Sequence, residues 1–179
     1  MSEITSKTTR QQLAAIVVDK LRHHKIDAVL VGGSVVSIYT DNKYESNDLD
    51  FISPASHKKI VDAMTELGFM ANGKDFVHPG TKFTVEFPTG PIGIGDDQPV
   101  QPEGKITVDG VDVKLLSPTQ SVMDRLISFF VFNDRQCLDQ AVWIADKHPI
   151  NLDQVKAWAK RENQEEKLTV FLARIGRKS

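Results

Sequence analysis

The chain has 179 residues, 40% hydrophobic and 26% charged, a composition that excludes disordered and fibrous classes and suits one domain or a small domain with an appendage. At this length roughly 70% of the unfolded surface can be buried, so a core is available without staples, and the lone Cys137 allows no internal disulfide. A formal net charge of −2 and a pI near 6.2 argue against broad electrostatic binding to nucleic acid. No apolar run approaches the ~20 residues of a membrane span, and the polar opening MSEITSKTTRQQ lacks the apolar stretch of a signal peptide, so a cytoplasmic protein is expected.

In chain order, residues 8 to 24 place Leu13, Ile16, Val17 and Leu21 at spacings of three and four, the pattern of one helical face. Ala28 to Val31 is a short apolar run after the polar turn Lys25 to Asp27 and reads as a buried strand, ended by Gly32-Gly33-Ser34. Ser34 is a suitable helix N-cap, and Val35, Val36, Ile38 and Tyr39 follow as a short helix before the polar loop from Thr40 to Asn47. In Asp48-Leu49-Asp50-Phe51-Ile52, strand alternation sends Leu49 and Phe51 to one face and both carboxylates to the other. Ala55 to Leu67 carries Ile60, Val61, Met64 and Leu67 at helical spacing and stops at Gly68. Asp75 to His78, the turn Pro79-Gly80 and Lys82 to Phe87 predict a hairpin, with Phe83, Val85 and Phe87 facing the core and Thr84 and Glu86 on the other face. A loop rich in Gly and Pro spans Thr89 to Gly104, and a second hairpin runs from Ile106 to Leu116 around Asp109-Gly110. From Ser117 onward the period is helical, with Pro118 in a first turn after a Ser117 cap and helices over about 118 to 132, 134 to 147, 151 to 162 and 164 to 176. The fold class that follows is α+β: a mixed β-sheet flanked by helices, residues 1–116, then a C-terminal helical region, residues 117–179.

The chemistry concentrates in Val31-Gly32-Gly33-Ser34 and, after thirteen intervening residues, Asp48-Leu49-Asp50-Phe51. Gly32 and Gly33 let the backbone turn tightly and approach a ligand, the following helix offers unpaired N–H groups to a phosphate, and Ser34 adds a hydroxyl. Asp48 and Asp50, two apart on a strand, project from one face about 7 Å apart at Cα, close enough to hold a hard cation between them. The bland reading of such a pair is two solvated strand residues. Glu86 is the candidate third carboxylate, set against the alternative of an exposed edge-strand glutamate. Three carboxylates would complete a site for one or two Mg²⁺ ions, able to activate an attacking oxygen and stabilise leaving pyrophosphate in phosphoryl transfer.

This conjunction of Gly-Gly-Ser with Asp-x-Asp inside a strand resembles the signature of the nucleotidyltransferase superfamily, whose members share the DNA polymerase β catalytic core. The resemblance covers about residues 28 to 87 and implies a nucleotidyltransferase-like fold. It further implies Asp48, Asp50 and Glu86 as catalytic metal ligands, and Gly32, Gly33 and Ser34 as the turn that holds the triphosphate. Within that superfamily the chain resembles the small bacterial nucleotidyltransferases related to abortive-infection toxins. Their helical part carries an Arg and Asp pair that Arg135 and Asp139 in NDRQCLDQA resemble, implying nucleotide-binding roles, although an ion pair at helical spacing accounts for the two as well. Those toxins show Lys-Leu in the preceding helix; here Asp124-Arg125-Leu126 stands instead, which leaves open the triphosphate contact of that Lys.

The activity expected is therefore Mg²⁺-dependent transfer of a nucleotidyl group from an NTP, with Mn²⁺ as a substitute ion, to an acceptor that is a protein, an RNA or a small molecule, Glu86 serving as base. The alternative is a catalytically inactive nucleotide- or partner-binding module, such as one component of a toxin–antitoxin pair with a protein partner. The acidic balance makes nucleic acid the less favoured partner, and no membrane association is expected. A dinucleotide-binding reading is set aside because no Gly-x-Gly-x-x-Gly follows the strand. His23 and His24 read as solvated or helix-dipole residues, His57 as a surface residue, Cys137 as a buried thiol, and Trp143 and Trp158 as core. Arg174, Arg177 and Lys178 form the only basic lean at the end of a mixed-charge helical surface.

Overall fold

The computed structural model describes residues 3–176. Seven helices and seven strands follow one another within it: α1 (Arg10–His23), β1 (Val29–Val31), α2 (Gly33–Tyr39), β2 (Asp48–Ile52), α3 (His57–Glu66), β3 (Met70–Asn72), β4 (Asp75–Val77), β5 (Thr84–Glu86), β6 (Gly104–Val108), β7 (Val111–Leu115), α4 (Pro118–Phe132), α5 (Arg135–Lys147), α6 (Leu152–Arg161) and α7 (Glu165–Ile175). The strands form one sheet in the order β3-β4-β5-β2-β1-β7-β6. It is mixed: β2 pairs parallel with β5 and β1 with β7, while the remaining neighbours are antiparallel.

Local chemistry explains most boundaries. The Thr9 hydroxyl accepts from the Gln12 N–H while the Gln12 side chain accepts from the Thr9 N–H, a reciprocal cap that starts α1, and Ser117 and Gln120 start α4 in the same way with Pro118 at its first turn. Asp109 and Gly110 both adopt positive φ, 50° and 79°, as the tight turn between β6 and β7 requires. Strand β3 is a three-residue edge strand, exposed throughout, that alternation alone does not reveal. Ser34 is not the cap of α2. Gly32 occupies that position, and Ser34 lies inside the helix, fully buried.

The core is continuous from the sheet into the helical region, with Trp158, Phe51, Phe129, Phe130 and Phe171 among its fully buried side chains. Trp158 stacks on Phe130 at 5.5 Å between centroids. Trp143 is not core: it is half-buried, with the Lys43 ammonium 4.6 Å from its ring centroid. Several bonds tie the two regions. His148 Nε2 lies 2.8 Å from the carbonyl of Tyr39, whose hydroxyl donates to the Leu116 carbonyl at the end of the first region at 2.8 Å. The loop between β5 and β6 is pinned to α6, where Trp158 Nε1 donates to the Ile94 carbonyl (3.4 Å), Arg161 to Asp97 (2.7 Å), and the Asp96 N–H to Glu162 (2.8 Å). Among the described residues no helix is long and apolar enough to cross a membrane.

Candidate active site

Strand register assembles the carboxylates. Asp50 lies opposite Val31 of β1, Glu86 beside Asp50, and Asp75 of β4 opposite Glu86. Directly paired residues share a face, so Asp75, Glu86 and Asp50 make one lateral row across three strands, with Asp48 two residues back along β2. The other face is the core: Leu49, Phe51 and Val85 are fully buried and Phe76 nearly so. Glu86 is not on an edge, because β5 lies between β4 and β2. Asp75 was not a sequence candidate; its alternation with buried Phe76 was the available signal, but only the pairing of β4 with β5 places it beside Glu86.

The carboxylates differ in their partners. Asp48 is exposed, and its Oδ1 accepts the Thr84 hydroxyl at 2.6 Å. Glu86 accepts from the Lys74 ammonium at 2.9 Å, with the glutamate side chain 18% exposed and the lysine 74%. Asp50 is pushed up to about 6, by burial first and then by the charges of Glu86 and Asp48, which Lys74 and Arg125 only partly offset. Hard carboxylate oxygens are the donors that Mg²⁺ and Mn²⁺ take, and Asp48, Asp50 and Glu86 share one face of paired strands, so the donor chemistry fits a divalent cation. The expected three-ligand cluster is nevertheless not assembled: among the described residues no group of three or more His, Cys, Asp or Glu side chains is arranged to hold a metal ion. Thr84 and Lys74 engage two of the three carboxylates instead.

The glycine turn meets the same row. Gly32 has φ 71° and ψ −150°, and a Cβ placed there would lie 2.7 Å from Asp50 Oδ2, so only glycine admits this approach. Gly33 begins α2, close against Ser46 and Tyr44. The Ser34 hydroxyl donates to the Asp48 carbonyl, tying α2 to β2 rather than presenting itself to a ligand. Gly32 and Asp50 line a cleft of about 380 Å³ together with Pro91, Asp124 and Arg125.

Arg125 supplies the cation of this cleft. Its Nε donates to Asp124 Oδ2 at 3.0 Å, and a second guanidinium nitrogen contacts the same oxygen. Burial alone would depress the guanidinium, but the charge and hydrogen bond of Asp124 outweigh it and its pKa is raised, so Arg125 is fully charged. The signal was present in the sequence: Asp124 and Arg125 are the only charged residues of α4, PTQSVMDRLISFFVF, an otherwise apolar and hydroxyl-bearing helix. Arg135 and Asp139 do not line the cleft. The Arg135 guanidinium lies 5.5 Å from the Phe129 ring centroid, and Asp139 pairs with Arg174 at 2.5 Å rather than with Arg135.

The remaining singled-out residues are structural. His24 lies 3.1 Å from Glu66, which also takes Lys20 and so joins α1 to α3. His23 faces Asp19, and His57 is exposed at the start of α3. Burial pushes the Cys137 thiol up, the opposite of an activated nucleophile. Arg177 and Lys178 lie outside the described residues.

This arrangement of sheet and helices is a nucleotidyltransferase-like fold. It is similar to the crystal structure of an antigenic nucleotidyltransferase-like protein from Paracoccidioides brasiliensis, with a TM-score of 0.56 and 17% identity over 78% of this chain and 77% of that one. The solution structure of the antibiotic-resistance factor ANT(2'')-Ia matches with a TM-score of 0.49 and 11% identity over 89% of this chain and 96% of that one. No protein-family model matches the sequence, and no curated protein is significantly similar to it.

Proposed function

We propose that the protein is a divalent-cation-dependent nucleotidyltransferase acting on an NTP. The observation that carries this reading is that Asp50 lines one cleft with the Gly32 turn and Arg125, while strand register sets Glu86 beside Asp50 and Asp48 two residues back on the same face. Asp48, Asp50 and Glu86 would hold Mg²⁺ or Mn²⁺, which when bound supplies charge stabilisation for the phosphates. Gly32, with Gly33 after it at the start of α2, would bring the backbone close to the triphosphate, and Arg125, lining the same cleft as Gly32, would neutralise its charge. The acceptor oxygen attacks the α-phosphorus, the bond from that phosphorus to the bridging oxygen breaks to release pyrophosphate, and Glu86 takes the acceptor's proton.

A second groove of about 660 Å³ shares Ile52, Pro91 and Ile92 with the cleft and offers a path for the acceptor. Its charged lining is Asp27 and Lys114, already paired at 2.8 Å. Such a wall suits a protein side chain or a small molecule better than the polyanionic backbone of RNA. A cytoplasmic bacterial enzyme fits this reading. Replacing Arg125 with Gln is expected to raise the KM for NTP about tenfold, the order of one lost charge-assisted contact, with the fall in kcat much smaller; steady-state kinetics over a range of NTP concentrations checks the split.

The catalytically inactive nucleotide- or partner-binding module, for example one half of a toxin–antitoxin pair, is favoured by one observation: the carboxylates are engaged by Thr84 and Lys74 rather than gathered around a common point. The deciding experiment incubates the protein with each α-³²P-labelled NTP and Mg²⁺, alone and with cell lysate, beside an Asp48→Asn, Asp50→Asn double variant. Label transferred by the intact protein and lost at least a hundredfold in the variant is expected. Nucleotide binding without transfer would replace the enzyme with the binding module.

A further inference from the structure

Lys74 sits in the turn between β3 and β4, directly before Asp75, and its ammonium donates to Glu86 Oε2 at 2.9 Å. Its charge also acts on Asp75, Asp48 and Asp50, so one flexible cation, 74% exposed, serves four carboxylates drawn from three strands. We propose that Lys74 is a built-in counter-ion that occupies the acidic row until a divalent cation displaces it, so that loading the site requires the β3–β4 turn to release Glu86. This rests on the reading of Asp48, Asp50 and Glu86 as metal ligands, and it gives a physical reason why those side chains are not gathered around a common point.

Three observations support it. The glutamate is largely sheltered while the lysine is solvated, so the lysine loses little by leaving and the glutamate is the group that needs a partner. Asp75, Glu86 and Asp50 lie side by side on one face with Asp48 two residues back, while Lys74 pairs directly with one of them, Glu86, and a double positive charge neutralises such a row more completely than one ammonium. The turn has room to rearrange without disturbing the core: nothing lies within 4 Å of the Cβ position of Gly73, at φ 65°, and β3 beyond it is an exposed edge strand.

The test measures Mn²⁺ binding by electron paramagnetic resonance and melting temperature in EDTA for the wild type, Lys74→Met, Lys74→Arg and, as a control for bulk charge, Lys58→Met on the exposed side of α3. Removing the resident charge is expected to tighten Mn²⁺ binding about tenfold at low salt, less at high salt, and to lower the melting temperature in EDTA, with Mn²⁺ restoring it. Lys74→Arg and Lys58→Met should bind as the wild type does. Unchanged or weaker Mn²⁺ binding in Lys74→Met, with the wild type still binding, overturns the counter-ion and leaves the metal reading standing. Absence of Mn²⁺ binding in every protein overturns both.

Discussion

Asp50→Asn is expected to make the metal-free protein more stable at pH 8, not less. The folded carboxyl is pushed up to about 6 from its ordinary 3.8, so in the fold the charged form is held against burial and against Glu86 and Asp48. At 1.36 kcal/mol per pKa unit the shift amounts to about 3 kcal/mol, and discounting for the solvent that reaches a half-buried group leaves a cost of ionised Asp50 on the order of 1.5 kcal/mol. The sign follows from proton linkage. The folded state binds the proton more tightly than the unfolded one, so wild-type stability falls as pH rises from about 4 through about 6 and then levels. Asn does not titrate, and its advantage should therefore be full at pH 8, smaller at pH 5 and gone below pH 4. For a chain of this size the gain corresponds to roughly 3–6 °C in Tm, read by calorimetry in EDTA. A variant that melts at or below the wild type at pH 8 would show that Asp50 carries no such strain. Under the proposed function Asp50 would be a ligand of Mg²⁺, so the same substitution should also remove the stabilisation that Mg²⁺ is expected to give the wild type.

Gly32→Ala should be strongly destabilising. Its φ of 71° with ψ of −150° lies in a region that is essentially glycine-only, a strain of about 1–3 kcal/mol for any other residue. The added methyl also falls 2.7 Å from Asp50 Oδ2, a contact that real Cβ atoms do not make, so either the turn or the carboxylate must shift. The combined loss is expected to be about 3 kcal/mol or more, lowering Tm by roughly 6–12 °C, together with loss of nucleotide binding in a titration with a non-hydrolysable NTP analogue. Gly73→Ala separates the two causes. Gly73 also has positive φ, 65°, but nothing lies within 4 Å of its Cβ position, so only the backbone term applies. That variant should lose about 1 kcal/mol and keep its nucleotide affinity. Equal losses at the two glycines would remove the role given to the Gly32–Asp50 approach.

What could be read from the sequence was whatever depends on local period. Leu49 and Phe51 alternate with Asp48 and Asp50, and Val85 and Phe87 flank Glu86, so the face of each carboxylate was legible without knowing which strands are neighbours. The lateral row was not, because the pairing of β5 with β2 and of β4 with β5 is long-range and only register brings Asp75 and Glu86 to Asp50. Lys74 was hidden for the same reason. Ser34 misled because a hydroxyl after two glycines suits both a cap and a phosphate ligand, whereas burial commits it to the Asp48 carbonyl. Arg135 and Asp139 misled because their spacing of four satisfied a family pattern and a helical ion pair at once. The actual partner of Asp139, Arg174, is 35 residues away on α7. The cation of the cleft was one turn of argument closer, in the isolated charged pair of α4.

The loop between β5 and β6 has one end in the cleft and the other on the far helices. Pro91 to Gly93 line the cleft, while Ile94 to Asp97 are held by Trp158, Arg161 and Glu162 of the α6 end, and Gly95, at φ 62°, is pressed so closely on the Glu162 carboxylate that a Cβ would fall 2.4 Å from it. The shape of the cleft wall is therefore under the control of a helix that contributes nothing to its chemistry. A substitution at Arg161 or Glu162 acts on the outline of the cleft through Pro91 to Gly93, at a distance from Asp48, Asp50 and Glu86.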